Sequence, residues 1–257
     1  MKQLVTFWKK DWQEMLRSGR LWILLILFTL FGIMNPAMAK LTPWIMEMAA
    51  DSLEGSGLVI TEVKVDAMTS WTQYYKNVSL VMLVFFFMIS SILTVEYQKG
   101  TLINMVTKGM VRWKIIVSKT LVLVLLWTLL YWVCYGITYG YNAYFWDNGI
   151  AENVFFGAFC VYILGLWLCS LVIIMSSVAT TQSMVVLLTG GVFGGCYLVG
   201  MLSKWKESLP TQLLSAGNLL SGNGGQKEYT MALALCLAWS LLNVLAAVLF
   251  FNKKSLV

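Results

Sequence analysis

Six stretches of the chain stay apolar and free of charge for about twenty residues each: 21 to 39, 78 to 95, 120 to 139, 154 to 175, 184 to 202 and 230 to 251. A helix crossing a hydrocarbon layer of about 30 Å needs roughly 20 such residues, so each window predicts a membrane-spanning helix. The first window follows twenty residues of charged and aromatic sequence and runs into Asn35 and Pro36, which predict a kink and not a cleavage site. The expected fold class is an all-α integral membrane protein with six transmembrane helices, a single domain over residues 1–257.

The pattern changes character in two places. Residues 1 to 18 set Leu4, Val5, Trp8, Trp12, Met15 and Leu16 at spacings of three and four, against Lys2, Lys9, Lys10, Gln13, Glu14 and Arg17. That periodicity predicts an amphipathic helix lying in the membrane interface. Between the second and third windows stands EYQKGTLINMVTKGMVRWKIIVSKTL, residues 96 to 121. Within its 98–114 connection, Thr101, Asn104, Lys108 and Arg112 recur on one helical face and Leu102, Ile103, Val106 and Met110 on another. A short amphipathic helix bounded by Gly100 and Gly109 is expected. Glu96, directly after the second window, is the only acid between residues 67 and 146.

Two longer connections remain. Residues 40 to 77 begin with Thr42 and Pro43, a helix-start signal, and pass through EGSG into VITEVKVDA, whose alternation is strand-like; together they predict a small external cap. Residues 203 to 229 contain SLPTQLLSAGNLL, expected to be a short helix beginning near Pro210, and then the turn-forming SGNGGQKE. The fifth window carries Gly190, Gly191, Gly194 and Gly195, two overlapping GxxxG pairs. Small residues at this spacing let helices approach closely in lipid. Such pairs serve either packing within the bundle or a moving, dimer-facing contact.

Composition narrows the chemistry. Hydrophobic residues make up 59% and charged residues 12% of the 257 positions, which places the chain in the membrane class. The absence of histidine removes Ser-His and Cys-His nucleophile pairs and zinc-hydrolase motifs. The five cysteines, Cys134, Cys160, Cys169, Cys196 and Cys236, all lie in apolar runs without CxxC spacing, so no metal site or disulfide framework is expected. No catalytic residue emerges. The net charge of +6 is scattered at the ends of apolar segments, which argues for orientation in a bilayer and against nucleic acid. With both termini on the cytoplasmic side, that side holds twelve of the eighteen lysines and arginines, and the opposite side nine of the twelve acids. The positive-inside rule selects this orientation. Trp71, Tyr74, Tyr75 and the run YGITYGYNAYFW supply aromatic belts at the far interface.

An acid closing the second window, a following Gly-Thr, a short helix, a basic residue and a Ser-Lys opening the third (EYQKGTL, KGMVRWKIIVSK) resemble the membrane subunit of ATP-binding-cassette type 2 exporters. The resemblance covers nearly the whole chain, down to the basic ending FNKKSLV. It implies a permease in the cell membrane that works as a homo- or heterodimer with a second permease chain. It also implies two copies of a separate cytoplasmic ATPase, which would hold the ATP and magnesium. The segment Gly100 to Lys108 would be the coupling helix that docks on this ATPase, with Glu96, Gly100, Thr101, Leu102, Asn104, Met105, Lys108 and Arg112 as coupling residues and Glu96 and Arg112 as partners of the N-terminal helix or the ATPase. The short SSVATTQS, 176 to 183, would be a second and smaller contact. No GxxxxGK[ST] loop occurs, and LLSGNGGQ departs from the LSGGQ signature by an inserted Asn223, so hydrolysis is expected in the partner. The cargo implied is an amphipathic peptide or a toxic hydrophobic compound. Two other functions stand beside this one. An ion-coupled secondary transporter would keep an ionisable group inside a span; here only Asn35 and Asn243 are candidates. A non-transporting immunity or sensor component is the other.

Overall fold

The computed structural model describes residues 2–51, 65–202, 206–222 and 225–254. Among these residues the secondary structure is entirely helical. The order is α1 (Lys2–Arg17), α2 (Arg20–Asp51), α3 (Ala67–Ile89), α4 (Thr94–Gln98), α5 (Thr101–Thr107), α6 (Arg112–Phe145), α7 (Val154–Val178), α8 (Gln182–Gly200) and α9 (Gln226–Lys253). Six segments are long and apolar enough to cross a membrane, α3 and α4 together forming the second of them. α1 buries Phe7, Asp11 and Met15 and packs against α6 and α2, and Gly19, at φ +74°, turns the chain from it into α2.

Several helix ends differ from the apolar windows. α2 continues through Pro36 and Pro43 to Asp51, so Thr42 and Pro43 lie inside a helix and do not start one. A proline leaves the carbonyl four residues earlier without its helical donor. For Pro36 that carbonyl is Gly32, and the Thr138 hydroxyl of α6 donates to it at 2.9 Å. A hydroxyl from a neighbouring helix thus lets the helix pass the proline, as membrane interiors allow. Beyond residue 39, Leu41, Trp44, Ile45 and Met48 keep a helical apolar period. The expected 40–77 cap therefore shrinks from both sides: 40–51 belongs to α2, and Asp66 caps α3 by accepting from the Thr69 amide at 3.0 Å. EGSG and most of VITEVKVDA fall outside the described residues.

The second window is broken where the sequence reads as continuous. α3 ends at Ile89 and a turn precedes α4, because the Ser90 hydroxyl donates to the Phe87 carbonyl at 2.7 Å and Gln182 of α8 donates to the same carbonyl at 3.1 Å. Side chains competing for helical carbonyls end helices in this way. The segment Pro210–Ser221 is a 3-10 helix. It is not a peripheral appendage, since Leu213, Ala216 and Leu219 are fully buried against α3, α7 and α9.

α7 is the central helix, with 72% of its most apolar window buried, whereas α8 has 11% and α9 17%. Aromatic side chains fill the space between α2, α3, α6 and α7. Phe28, Phe85, Trp127 and Tyr131 form a continuous stack with ring centroids 5.1 to 6.2 Å apart, a spacing at which edge-to-face and offset contacts are favourable.

Candidate functional site

The end of the bundle where α1, α5 and the end of α9 lie gathers twelve of the eighteen lysines and arginines. Three elements meet there: the middle of α1, the end of α4 and the start of α6. Glu96 is buried on α4, and its Oε1 accepts from Lys10 of α1 at 2.7 Å and lies 3.0 Å from Lys119 Nζ of α6. Lys119 is also buried and donates to Asp11 Oδ1 at 2.9 Å, while the Ser118 hydroxyl donates to Asp11 Oδ2 at 2.9 Å. Lys10 further reaches Glu14 at 3.8 Å, an exposed pair of small weight. The result is a chain Lys10–Glu96–Lys119–Asp11 that fastens the interfacial helix to α4 and α6, the helices on either side of α5.

Burial decides what this chain does energetically. Removing one partner from a buried pair leaves an uncompensated charge and costs about 3–5 kcal/mol. Desolvation pushes the Asp11 carboxyl above its ordinary range, and the Lys119 ammonium opposes that rise. Carboxylate oxygens of Asp11, Glu14 and Glu96 lie within 4.8 Å of one another, a spacing that can suit a cation. Lys10 and Lys119, however, already stand among them at 2.7 to 3.0 Å and supply the positive charge. The cluster is an electrostatic joint and offers no nucleophile–base pair.

The predicted coupling residues divide. Gly100 and Gly109 take positive φ, +65° and +86°, so both ends of α5 need the left-handed conformation that glycine adopts without strain. Thr101 donates to the Glu96 carbonyl at 3.1 Å and so hangs α5 directly from the joint. Asn104 and Lys108 are exposed. Leu102 is 1% exposed and Met105 packs against the core, so the apolar face of α5 is turned toward its own bundle and is no free docking stripe. Arg112 binds within the chain. Its Nη1 donates to the carbonyls of Phe251, Asn252 and Lys254 at 3.3, 3.0 and 2.7 Å. A cation on the last carbonyls of a helix satisfies groups the helix cannot, and it complements the dipole.

Lys254 extends this clasp: its Nζ donates to the Ala179 carbonyl at 2.7 Å and lies 4.4 Å from the Tyr97 ring centroid. The SSVATTQS connection is thus the turn between α7 and α8, tied to the end of α9. Sequence reasoning missed Asp11, Lys119, Ser118 and Lys254 as site residues. For Asp11 a signal existed, since Leu4, Trp8, Asp11 and Met15 share one helical stripe, and an acid on an apolar stripe calls for a buried partner.

Elsewhere, the two asparagines of the spans have partners. Asn77 donates to Asn35 Oδ1 at 2.8 Å, Asn35 donates to Thr138 Oγ1 at 3.3 Å, and Asn243 donates to Ser170 Oγ at 3.1 Å. A Cβ placed on Gly190, Gly191, Gly194 or Gly195 would meet nothing within 4 Å, so packing within this chain does not use the GxxxG pairs of α8.

Six apolar spans, an interfacial helix and an ion-paired joint beneath a short amphipathic helix define a multi-pass membrane protein. The chain matches the family described as ABC-2 family transporter protein over residues 5–256, and it belongs to that family. No curated protein matches it. Membership makes the chain a permease component of an ABC transporter and implies association with an ABC ATPase subunit.

Proposed function

We propose that the chain is the membrane half of an exporter in the cell membrane, with both termini cytoplasmic, in which α5 couples hydrolysis by the ATPase to movement of the spans. One observation carries this reading: α5 is a rigid helical element between two left-handed glycines, hung through Thr101 from a buried ion-paired joint that grips α1, α4 and α6 together. Displacement of α5 would reach three elements at once, as a discrete packed element is expected to transmit it. The docking face is the exposed one, Asn104, Thr107 and Lys108, with Leu102 and Met105 transmitting the push inward.

Two permease chains and two ATPase subunits would form the working unit. ATP and magnesium bind in the ATPases, and substrate passes by alternating access between the bundles along α3 and α8. The uncovered glycine face of α8 favours a second permease chain as its neighbour. Co-purification with an ATPase and the Lys108→Glu and Asn104→Trp variants test the coupling role. Both positions are exposed, so the fold should survive while ATPase stimulation and transport fall together; unchanged stimulation in both variants sinks the reading.

A further inference from the structure

Between α3 and α8, floored by α7 and the 3-10 segment, lies a cavity of about 380 Å³. Its walls include Met82, Phe86, Leu168 and Phe193, and Leu83 and Phe87 remain exposed beside it. No charged side chain lines it. The volume falls in the range of small-molecule sites, about 300–1,000 Å³, which are mostly apolar with a few placed polar groups.

Thr189 in its wall provides the placed group. The residue is fully buried and its hydroxyl has no hydrogen-bond partner among the described residues. Several threonines in these helices bond back to the carbonyl four residues earlier, as Thr72 does to Met68, Thr120 to Ile116 and Thr128 to Val124, at 2.7 to 2.8 Å. Thr189 does not, and a buried hydroxyl left unpaired is unfavourable. A lipid acyl chain seated in the cavity would leave it so. An ion would lose its hydration with nothing to compensate, and a peptide backbone would bring more polar groups than the two hydroxyls of the lining, Thr189 and the exposed Ser79, can satisfy.

We propose that this cavity binds a compact, neutral, largely apolar molecule that carries one hydrogen-bonding group, and that Thr189 is the residue that meets that group. The proposal rests on the reading that α3 and α8 border the substrate path, and it narrows the cargo from peptide or hydrophobic compound to the latter. Entry is lateral, between α3 and α8 past the exposed Leu83 and Phe87, from the apolar phase in which such a molecule dissolves.

The test uses the full chain in lipid nanodiscs, with empty nanodiscs as background, and equilibrium dialysis of three probes of one shape: 1-naphthol, 1-methylnaphthalene and 1-naphthoate. The expected result is saturable binding of 1-naphthol, weaker binding of 1-methylnaphthalene and none of 1-naphthoate. Thr189→Val should weaken 1-naphthol about two- to tenfold, the reach of one hydrogen bond, and leave 1-methylnaphthalene unchanged; Thr189→Ser should restore 1-naphthol. A filled mouth, Leu83→Trp, should reduce both. Absence of saturable binding, equal effects of Thr189→Val on both neutral probes, or tight binding of 1-naphthoate overturns the proposal. If 1-naphthol binds as stated but the assembled transporter does not move it, the site stands and the substrate path lies elsewhere.

Discussion

α7 and α8 are neighbours in sequence and both are punctuated by glycine, yet the two helices use it in opposite ways. In α7, a Cβ on Gly165 would run into the Trp127 indole and one on Gly157 into the Tyr75 hydroxyl, so these glycines are demanded by aromatic partners from α6 and α3. In α8, the four glycines of the GxxxG pairs face open space. Local sequence makes α8 look the more tightly packed, because its glycines have the recognised spacing. Demand for a glycine comes from what approaches it, and spacing alone does not reveal that.

The contrast between enclosed and open positions extends to charge, and there the expected effects are largest. Lys119→Met removes the cation shared by Asp11 and Glu96 and should cost about 3–5 kcal/mol, seen as a large drop in melting temperature in detergent. Lys108→Met, on the exposed side of the same connection, should stay within about 0.5 kcal/mol. Similar losses at both lysines would erase the distinction. Next comes Gly165→Ala, where overpacking against Trp127 should cost about 1–3 kcal/mol. In the same melting assay Gly191→Ala should be neutral or gain up to about 1 kcal/mol of helix propensity. Smallest in stability is Gly190→Leu with Gly194→Leu, expected to leave the melting temperature of the single chain nearly unchanged. If α8 meets a second chain, light scattering should register a lower oligomer mass; an unchanged dimer would assign that glycine face to lipid.

The number of spans was legible because bilayer thickness imposes a minimum apolar length, and all six windows meet it. Helix ends were not, because caps and neighbours set them: α6 starts at Arg112, well before residue 120, and α2 passes Pro36 because Thr138 stands beside Gly32. The short α5 was legible from its two glycines and its period. Glu96 stood out as a lone acid, yet its partners lie 86 residues earlier and, for Lys119, across the α5 connection. Periodicity describes one element at a time, so pairings between elements do not appear in it. The resemblance offered the N-terminal helix or the ATPase as partners of Glu96 and Arg112: Glu96 meets Lys10 of that helix, and Arg112 binds the final turn of α9.

That clasp orders events in time. Arg112 emerges from the ribosome 139 residues ahead of Phe251, and at about 5–20 residues per second this is a delay of roughly 7–30 s. Throughout that interval the guanidinium has no carbonyl of α9 to hold, and Lys254 has not yet been made to fasten the α7–α8 turn. The face proposed to meet the ATPase is therefore finished by α9, the sixth of the described spans. A nascent chain halted before α9 would present α5 without the brace behind it, and assembly with the ATPase is expected to wait for α9.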